Sequence, residues 1–313
     1  MKALICEGQG VRFATDRPEP RPGPDEVVLD VRCCGICDTD VQLAAGYMGY
    51  SGILGHEFIG TDEHGSRFTA EINNACRKCD WCRNGLGNHC PNRTVLGILK
   101  HDGAMAEKVA VPRANLHAIP DSIPDESAVF VEPLAGAFRI LEQIDIGRSD
   151  RIAVLGDGKL GTLCAWVLAT ESDHVTLIGK HPAKLDRAGD SVSKVLLDDA
   201  LANSAKSFDL VVDATGNASG LETACRLVRA RGTICLKTTI AAEHRLNLAP
   251  VVIDELTVVG SRCGPFEPAI EALAAGKFDV SRLIEAVYPL DDAEAAFAHA
   301  ARKGAAKILL KVR

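Results

Sequence analysis

The chain has 313 residues, of which 47% are hydrophobic, and its 35 basic and 42 acidic side chains give a net charge of −7. This length accommodates two domains with large cores, and the mildly acidic balance argues against binding to nucleic acid or to an anionic membrane. No apolar run is long enough to span a membrane, and residues 1–8 predict a short strand instead of a secretory signal. Most of the twelve cysteines are scattered, so a reducing, cytoplasmic compartment is the simplest interpretation.

Two kinds of sequence pattern follow one another along the chain. Residues 1–125 are rich in glycine and proline and contain short alternating segments such as 26–31, which predicts an irregular antiparallel β domain. After residue 133 a helix is predicted over 162–169, among apolar strand candidates at 151–155, 174–178, 208–212, 232–236 and 256–259. Strands that alternate with helices indicate a parallel sheet, so the predicted fold class is α/β. The end of the chain is predicted to return to the first domain with two helices, 267–276 and 291–301, and a strand at 307–311.

A group of four cysteines stands in a C-x2-C-x2-C-x7-C array: Cys76, Cys79, Cys82 and Cys90. Four thiolates within fifteen residues are what a closed, tetrahedral zinc site requires, because sulfur is a preferred zinc ligand and a short loop can surround the ion. Four unrelated buried thiols, or two disulfides, are the alternatives.

A glycine-rich sequence, G-x-G-x-x-G, follows a predicted strand and opens a predicted helix. Gly156, Gly158 and Gly161 allow a tight turn and a close approach of the backbone to a pyrophosphate, with Lys159 and Leu160 between them. This context predicts a dinucleotide site, and a turn without a ligand is the alternative.

The next predicted strand ends at Gly179, where NAD-specific sites usually carry an acidic residue. Three cationic side chains follow: Lys180, His181 and Lys184. Because no strand-end carboxylate would repel a 2′-phosphate and the cations would attract it, the sequence favours NADP over NAD. The alternative is that these are solvated charges and that NAD binds equally well. Thr215 and Gly216 are further candidates for cofactor contact.

Potential ligands for a second zinc occur in the first domain. Cys37 ends the sequence Gly-Ile-Cys, His56 and Glu57 end the sequence Gly-His-Glu, and Glu132 begins the sequence Glu-Pro-Leu. A set of Cys, His and Glu leaves a position for water or a substrate oxygen, as catalytic zinc requires.

Taken together, these motifs resemble the medium-chain zinc-dependent alcohol dehydrogenases over nearly the whole chain. The Glu-Pro-Leu sequence, where the liver-type enzymes carry a cysteine, is similar to the polyol (sorbitol) and glucose dehydrogenase branch. The resemblance implies a homo-oligomer, dimer or tetramer, and three parts of the chain. These are a GroES-like catalytic domain (1–132, with a zinc lobe at about 71–95), a Rossmann cofactor domain (133–266) and a C-terminal return to the catalytic domain (267–313).

The resemblance also assigns the metal ligands. Cys37 and His56 match ligands of the catalytic zinc, while Glu57 and Glu132 match carboxylates that ligate directly or through water. The alternative for either glutamate is a structural carboxylate paired with a base such as Arg139.

Thr39 matches the family hydroxyl that hydrogen-bonds the substrate oxygen and relays its proton, and Asp40 matches the carboxylate that orients the ligand histidine. A turn residue and the cap of a helix beginning at Val41 are the respective alternatives. Gln42 stands where many members carry a histidine that ends the relay, and Asp38 stands where several use an arginine for the pyrophosphate. The stretch 60–71 is also shorter than usual.

The sequence therefore predicts a cytoplasmic, zinc-dependent alcohol or polyol dehydrogenase that is linked to NAD(P) and favours NADP. It would hold two zinc ions per chain, one catalytic and one structural. Its partner would be a small alcohol, polyol or carbonyl compound, without nucleic acid or membrane. The alternatives are a zinc-free quinone or enone reductase on the same fold and an NADPH-binding protein without catalysis.

Overall fold

The structure is a computed structural model that describes residues 1–239 and 245–312. It divides into two compact units, which are Met1–Glu132 with Phe266–Arg313 (unit 1) and Pro133–Pro265 (unit 2). None of the helices in the described part of the chain has both the length and the apolar character needed to cross a bilayer.

The described strands, in chain order, are β1 (Ala3–Cys6), β2 (Val11–Ala14), β3 (Glu26–Ile36), β4 (Gly52–Ile53), β5 (Glu57–Thr61), β6 (Arg67–Ala70), β7 (Asn73–Asn74), β8 (Thr94–Val95), β9 (Lys108–Pro112), β10 (Leu116–Ala118), β11 (Arg151–Leu155), β12 (His174–Gly179), β13 (Ser193–Leu196), β14 (Phe208–Asp213), β15 (Val228–Leu236), β16 (Thr257–Gly260), β17 (Ile284–Pro289) and β18 (Lys307–Lys311). The described helices are α1 (Asp38–Ala44), α2 (Asp80–Arg83), α3 (Asp125–Ala128), α4 (Val131–Gln143), α5 (Lys159–Leu168), α6 (Pro182–Leu185), α7 (Leu197–Asn203), α8 (Gly220–Leu227), α9 (Ala249–Ile253), α10 (Phe266–Ala274) and α11 (Ala293–Ala300).

The main sheet of unit 1 is largely antiparallel, with the order β10-β6-β5-β3-β18-β17 and β9 also paired to β3. The second half of β3 is buried because it pairs with β5 on one side and β18 on the other. In this register Gly35 lies opposite Glu57, and Ile36 lies opposite Ile308. The sheet therefore brings three distant segments together at one end of β3, immediately before Cys37.

Gly35 is required at this crossing by close packing. A Cβ atom there would lie 2.6 Å from a carboxylate oxygen of Glu57 and 2.7 Å from a methyl group of Val129. Real Cβ atoms do not approach other atoms so closely, so the glycine allows the Glu57 side chain to lie across β3.

The sheet of unit 2, within the described residues, has six parallel strands in the order β13-β12-β11-β14-β15-β16. This is the doubly wound 3-2-1-4-5-6 order of dinucleotide-binding domains, whose ligands bind at the carboxyl ends of the strands where the order reverses. Here that point lies between β11 and β14. The predicted α/β class, with a β-rich domain and a Rossmann-like sheet, is confirmed.

Several boundaries differ from the sequence prediction. β13 and β17 were not predicted, because β13 is a half-exposed edge strand with a mixed sequence and β17 combines alternating burial with a terminal proline. β15 begins at Val228 instead of residue 232. The last helix begins at Ala293 instead of residue 291, because a 3-10 turn occupies Leu290–Asp292.

Candidate metal and dinucleotide sites

Three of the predicted metal ligands converge in unit 1. One ligand atom each from Cys37, His56 and Glu57 lies within 4.8 Å of the others. Cys37 follows the end of β3 as the N-cap of α1, and His56 immediately precedes β5, whose first residue is Glu57. His56 and Glu57 are only 3% and 1% exposed, so two polar groups are held in the interior where they need partners.

A cluster of three glycines shapes the backbone before His56. Gly55 has φ +100°, which favours glycine. A Cβ atom on Gly97 would lie 2.5 Å from the Gly55 carbonyl oxygen, and one on Gly103 would clash with the same oxygen. Because two other backbone segments pack directly on Gly55, the orientation of the histidine is fixed from outside its own strand. This cluster was not found from the sequence, since nothing local links the three positions.

Asp40 connects the cysteine and histidine segments. It is fully buried; its Oδ2 accepts a hydrogen bond from the Cys37 amide at 2.8 Å, and its Oδ1 accepts one from the Gly55 amide at 3.2 Å. The same Oδ1 lies 3.4 Å from Nδ1 of His56. The alternative interpretation, a cap for a helix beginning at Val41, is wrong in its boundary, because α1 begins at Asp38 and Asp40 lies inside its first turn. Asp40 caps the helix and also faces the histidine.

The donor set fits a divalent cation. Burial alone would lower the pKa of His56, but the Asp40 carboxylate and the Cys37 side chain raise it well above its ordinary value. The surroundings of the ring therefore attract positive charge. Nδ1 of His56 is buried with no well-formed hydrogen bond among the described residues and faces Asp40, which leaves Nε2 to serve as a metal ligand. A thiolate, an imidazole and a carboxylate are the ligand types that zinc takes in catalytic sites.

Glu57 forms a buried ion pair with Lys307, the first residue of β18. The Lys307 side chain is 2% exposed, and its ammonium nitrogen lies 5.7 Å from the centre of the Phe130 ring. Burial alone would lower the pKa of Lys307, but Glu57 and Cys37 raise it above its ordinary value. The suggested base for this glutamate was Arg139, which instead pairs with Glu142 at 2.5 Å. Lys307 was missed, although a lysine at an inward position of an apolar strand is a signal.

Glu132 is not one of the three residues of this group. It is the second residue of α4 and is half-buried, and it does not belong to the set of mutually close donor atoms in the described residues.

The remaining predicted residues of this region lie on α1 and the following loop. Thr39 is half-buried in the first turn of α1, while Asp38 and Gln42 are exposed. Tyr50 is 6% exposed and its hydroxyl donates to the Ile53 carbonyl at 2.7 Å, so it supports the fold. Tyr47 and Met48, which precede it in the same loop, are more exposed, at 37% and 52%.

The four cysteines of the zinc lobe converge as predicted from their spacing. The Sγ atoms of Cys79 and Cys82 are 3.5 Å apart, those of Cys79 and Cys90 are 3.8 Å apart, and those of Cys76 and Cys82 are 4.0 Å apart. Tetrahedral zinc with Zn–S bonds of about 2.3 Å holds sulfurs about 3.8 Å apart. A disulfide requires about 2.05 Å, and none of these three sulfur pairs lies that close, so the arrangement favours a shared metal ion over disulfides or unrelated thiols.

The thiols of this lobe differ in acidity. The pKa of Cys76 is lowered to about 6, chiefly by hydrogen bonds from the backbone of Lys78 and Cys79. That of Cys82 is raised to about 12 by desolvation and by hydrogen bonds with the neighbouring thiols. Such a difference in pKa is expected when several thiolates share one site and repel each other, and a bound cation would offset that repulsion.

The glycine-rich turn of unit 2 forms a cradle for a phosphate group. Gly156 has φ +117°, and a Cβ atom there would lie 2.5 Å from the Ala214 carbonyl oxygen. A Cβ atom on Gly161 would clash with the Gly156 carbonyl oxygen. Around Gly158, in contrast, no atom lies within 4 Å of such a Cβ, so the backbone is open to a ligand. Lys159 and the half-buried Leu160 begin α5 directly after this opening.

The other predicted cofactor residues stand at the carboxyl ends of β12 and β14. Gly179 is buried, and three cationic residues follow it: Lys180 and His181, which are exposed, and Lys184, which is half-buried. The Thr215 hydroxyl donates to Asp213 Oδ1 at 2.7 Å, and the Gly216 amide donates to the Thr238 hydroxyl at 3.0 Å. Asp213, 2% exposed, also accepts the Thr238 hydroxyl at 2.9 Å. Asp213 and Thr238 were not among the predicted residues.

Two family models match the chain. The model for the alcohol dehydrogenase GroES-like domain matches residues 23–121, and the model for the glucose dehydrogenase C-terminus matches residues 125–310. Among curated relatives, a sorbitol dehydrogenase from Halalkalibacterium halodurans is 28% identical over 341 aligned residues that cover 99% of each chain. An L-galactonate-5-dehydrogenase from Escherichia coli K12 is 26% identical over 318 residues, covering 92% of each chain.

Solved structures agree with these matches. A candidate zinc-binding dehydrogenase from Sinorhizobium meliloti 1021 bound to NADP superposes with a TM-score of 0.88 at 27% identity, covering 99% of each chain. The alcohol dehydrogenase TADH from Thermus sp. ATN1 superposes with a TM-score of 0.89 at 25% identity over the whole of both chains. The glucose dehydrogenase model alone covers more than half of this sequence. The chain accordingly belongs to the medium-chain zinc-dependent alcohol dehydrogenase family, in its polyol and glucose dehydrogenase branch.

Proposed function

We propose that this protein is a zinc-dependent, NAD(P)-linked dehydrogenase that reversibly oxidises a hydroxyl group of a sugar or polyol. The observation that carries the proposal is the convergence of Cys37, His56 and Glu57 in a chain that also builds the doubly wound sheet and its glycine cradle. Relatives named sorbitol dehydrogenase, L-galactonate-5-dehydrogenase and D-xylulose reductase support a polyhydroxylated substrate.

Two zinc sites per chain are part of the proposal. Cys37 and His56, with the Glu57 carboxylate directly or through water, would hold a catalytic zinc, and the four cysteines of the lobe would hold a structural one. When bound, the catalytic zinc supplies a Lewis acid that polarises the substrate oxygen. Glu57 is assigned here ahead of Glu132 because only Glu57 belongs to the group of close donor atoms. Its pairing with Lys307 limits the net negative charge of the set.

The chain's own residues then hold and move the proton of the substrate hydroxyl. The Thr39 hydroxyl, half-buried in the first turn of α1, can accept that proton's hydrogen bond and donate its own onward. Gln42, one turn further along, is exposed and has no titratable group, so the proton passes from Thr39 to solvent. Asp40 holds the Cys37 amide and faces His56, so it fixes the ligands and takes no part in the relay.

For the cofactor we propose NADP in preference to NAD. When bound, the nicotinamide ring accepts or donates the hydride. The glycine cradle would hold the pyrophosphate, with the Thr215–Gly216 segment beside it at the carboxyl end of β14. The preference rests on the basic residues that follow Gly179 at the strand end: Lys180, His181 and Lys184. The neighbour bound to NADP supports it.

We also propose a homo-oligomer, dimer or tetramer. Among the described residues, the edge strand β16 exposes Val258 (40%), and α9, which precedes it in the sequence, exposes Val252 and Ile253 (75% and 77%). An unpaired strand edge beside exposed aliphatic groups favours pairing with a second copy. Light scattering during gel filtration measures the mass, and Val258→Lys should lower it if this edge forms the contact.

The decisive experiment combines metal analysis with a substrate panel. Two zinc ions per chain and turnover of polyols or sugars with NADP or NAD are expected, and Cys37→Ser should remove one zinc and the activity while dinucleotide binding persists. Turnover that survives both Cys37→Ser and complete removal of zinc would exclude the proposed chemistry. A chain that binds the dinucleotide but oxidises no alcohol would be a binding protein instead.

A further inference from the structure

The carboxylate of Asp157, in the glycine-rich turn, lies over the end of the neighbouring strand β12. Its Oδ2 accepts hydrogen bonds from the Lys180 amide at 2.7 Å and the His181 amide at 2.8 Å. The same oxygen lies 3.0 Å from Nδ1 of His181. A Cβ atom on Gly179 would lie 2.5 Å from this oxygen. Asp157 therefore fills the space that a side chain at the end of β12 would occupy.

Asp157 is held there as an anion. Its side chain is only 11% exposed. Burial alone would raise the pKa of Asp157, but the hydrogen bonds from the His181 amide, the His181 ring and the Lys180 amide lower it below its ordinary value. The charge is consequently present throughout the neutral range.

The end of the second strand is where dinucleotide-binding sheets distinguish NAD from NADP. An acidic group there accepts the ribose hydroxyls of NAD and repels the 2′-phosphate of NADP. A 2′-phosphate would be drawn to the same amides and the same imidazole that Asp157 already engages. The basic side chains that follow β12 act in the opposite direction: Lys180, His181 and Lys184.

We propose that Asp157 is a specificity-determining residue of the cofactor site, a carboxylate supplied by the glycine-rich turn in place of the acidic residue that β12 lacks. It accepts the adenosine ribose hydroxyl and opposes a 2′-phosphate, so it limits the preference for NADP that the cations create. This inference rests on the proposed NAD(P)-linked function.

The test compares Asp157→Asn with the wild type, using two nicotinamide-free probes, AMP and adenosine 2′,5′-bisphosphate, whose dissociation constants are measured by calorimetry on the zinc-loaded protein. Asn keeps an oxygen that accepts the two amides and removes the charge. A like charge at hydrogen-bonding range shifts an equilibrium about tenfold or more. The ratio of affinities should therefore move about tenfold or more towards the bisphosphate, and the kcat/KM ratio of NADP to NAD should follow.

Asp209→Asn is the matched control. Asp209 also accepts a hydrogen bond from a backbone amide, that of Arg151 at 2.8 Å, and pairs with Arg229. It lies at the amino-terminal ends of β11 and β14, whereas the glycine-rich turn follows the carboxyl end of β11. In this variant the ratio of the affinities for adenosine 2′,5′-bisphosphate and AMP should remain that of the wild type. Lys180→Ala should move the same ratio towards AMP, opposite to the effect of Asp157→Asn.

Three results overturn the inference or its basis. An unchanged ratio in Asp157→Asn would contradict the inference, and so would an equal loss of affinity for both probes, which marks a purely structural carboxylate. Thermal unfolding of the variant identifies that second case independently. Failure of the wild type to bind either probe would instead refute the proposed function, and the inference with it.

Discussion

Replacing Lys307 by methionine tests how strongly the buried ion pair with Glu57 stabilises unit 1. Methionine keeps much of the volume of the lysine stem but removes the ammonium group, so in protein whose Cys37–His56 site holds no zinc the Glu57 carboxylate, 1% exposed, loses its partner. Breaking a buried pair in this way costs about 3–5 kcal/mol, because an uncompensated charge remains in the interior. That free energy corresponds to roughly two to four powers of ten in the equilibrium for local opening.

Hydrogen exchange followed by mass spectrometry measures the free energy of local opening separately for unit 1, through peptides that contain β5 and β18. Exchange in both should accelerate by about two to four powers of ten in Lys307→Met, while peptides from β11 and β14 should not change. Lys311→Met is the matched control, since Lys311 lies on the same strand but is exposed. The double variant Glu57→Gln/Lys307→Met should exchange more slowly in these peptides than Lys307→Met, because no unpaired buried charge is left.

The reasoning would be refuted by a Lys307→Met protein whose β5 and β18 peptides exchange no faster than those of Lys311→Met. Simple additivity of the two single substitutions in the double variant would refute it as well, since it would mean that the two groups do not interact.

Three further predictions concern the metal and cofactor sites. Cys79→Ser should lower the zinc content from two to one per chain and destabilise unit 1, whereas Cys37→Ser should remove the other ion with little effect on thermal unfolding. Elemental analysis should therefore find one zinc ion in each variant, and a count of two or of none in either variant would contradict two independent sites. Asp40→Asn should lower the affinity for zinc at the Cys37–His56 site by about 10–100-fold in a chelator competition, because it removes the carboxylate that faces the imidazole. An unchanged affinity would show that Asp40 does not orient the histidine. Gly161→Ala should abolish binding of AMP, because its Cβ atom would clash with the Gly156 carbonyl oxygen, and calorimetry that finds normal affinity would contradict the close packing of the turn.

The sequence was sufficient wherever a function depends on residues that are neighbours along the chain. The cysteine spacing predicted the four-sulfur cluster, and the strand–glycine–helix order predicted the cradle of unit 2. Cys37 and His56 were recognised from short motifs, and the register of β3 with β5 explains why two motifs nineteen positions apart meet.

Contacts between residues that are far apart in the sequence could not be predicted from it. Lys307 is 250 positions from Glu57, and no local pattern links the two. Asp157 was treated as an ordinary position within the glycine-rich sequence, because only the folded turn shows that its carboxylate reaches the end of β12. The strands β13 and β17 were missed for a related reason, since edge and half-exposed strands acquire their conformation from their neighbours more than from their own composition.

The placement of β18 in the middle of the unit 1 sheet has a consequence for biosynthesis. β3 and β5 are translated long before β18, which lies between β3 and β17 and follows the whole of unit 2 in the sequence. Until β18 has been synthesised, one edge of β3 in the nascent unit 1 is unpaired and Glu57 has no ion-pair partner. Unit 2 is contiguous in the sequence and can fold as soon as it has emerged, whereas the edge of β3 that pairs with β18 stays open until β18 has been synthesised.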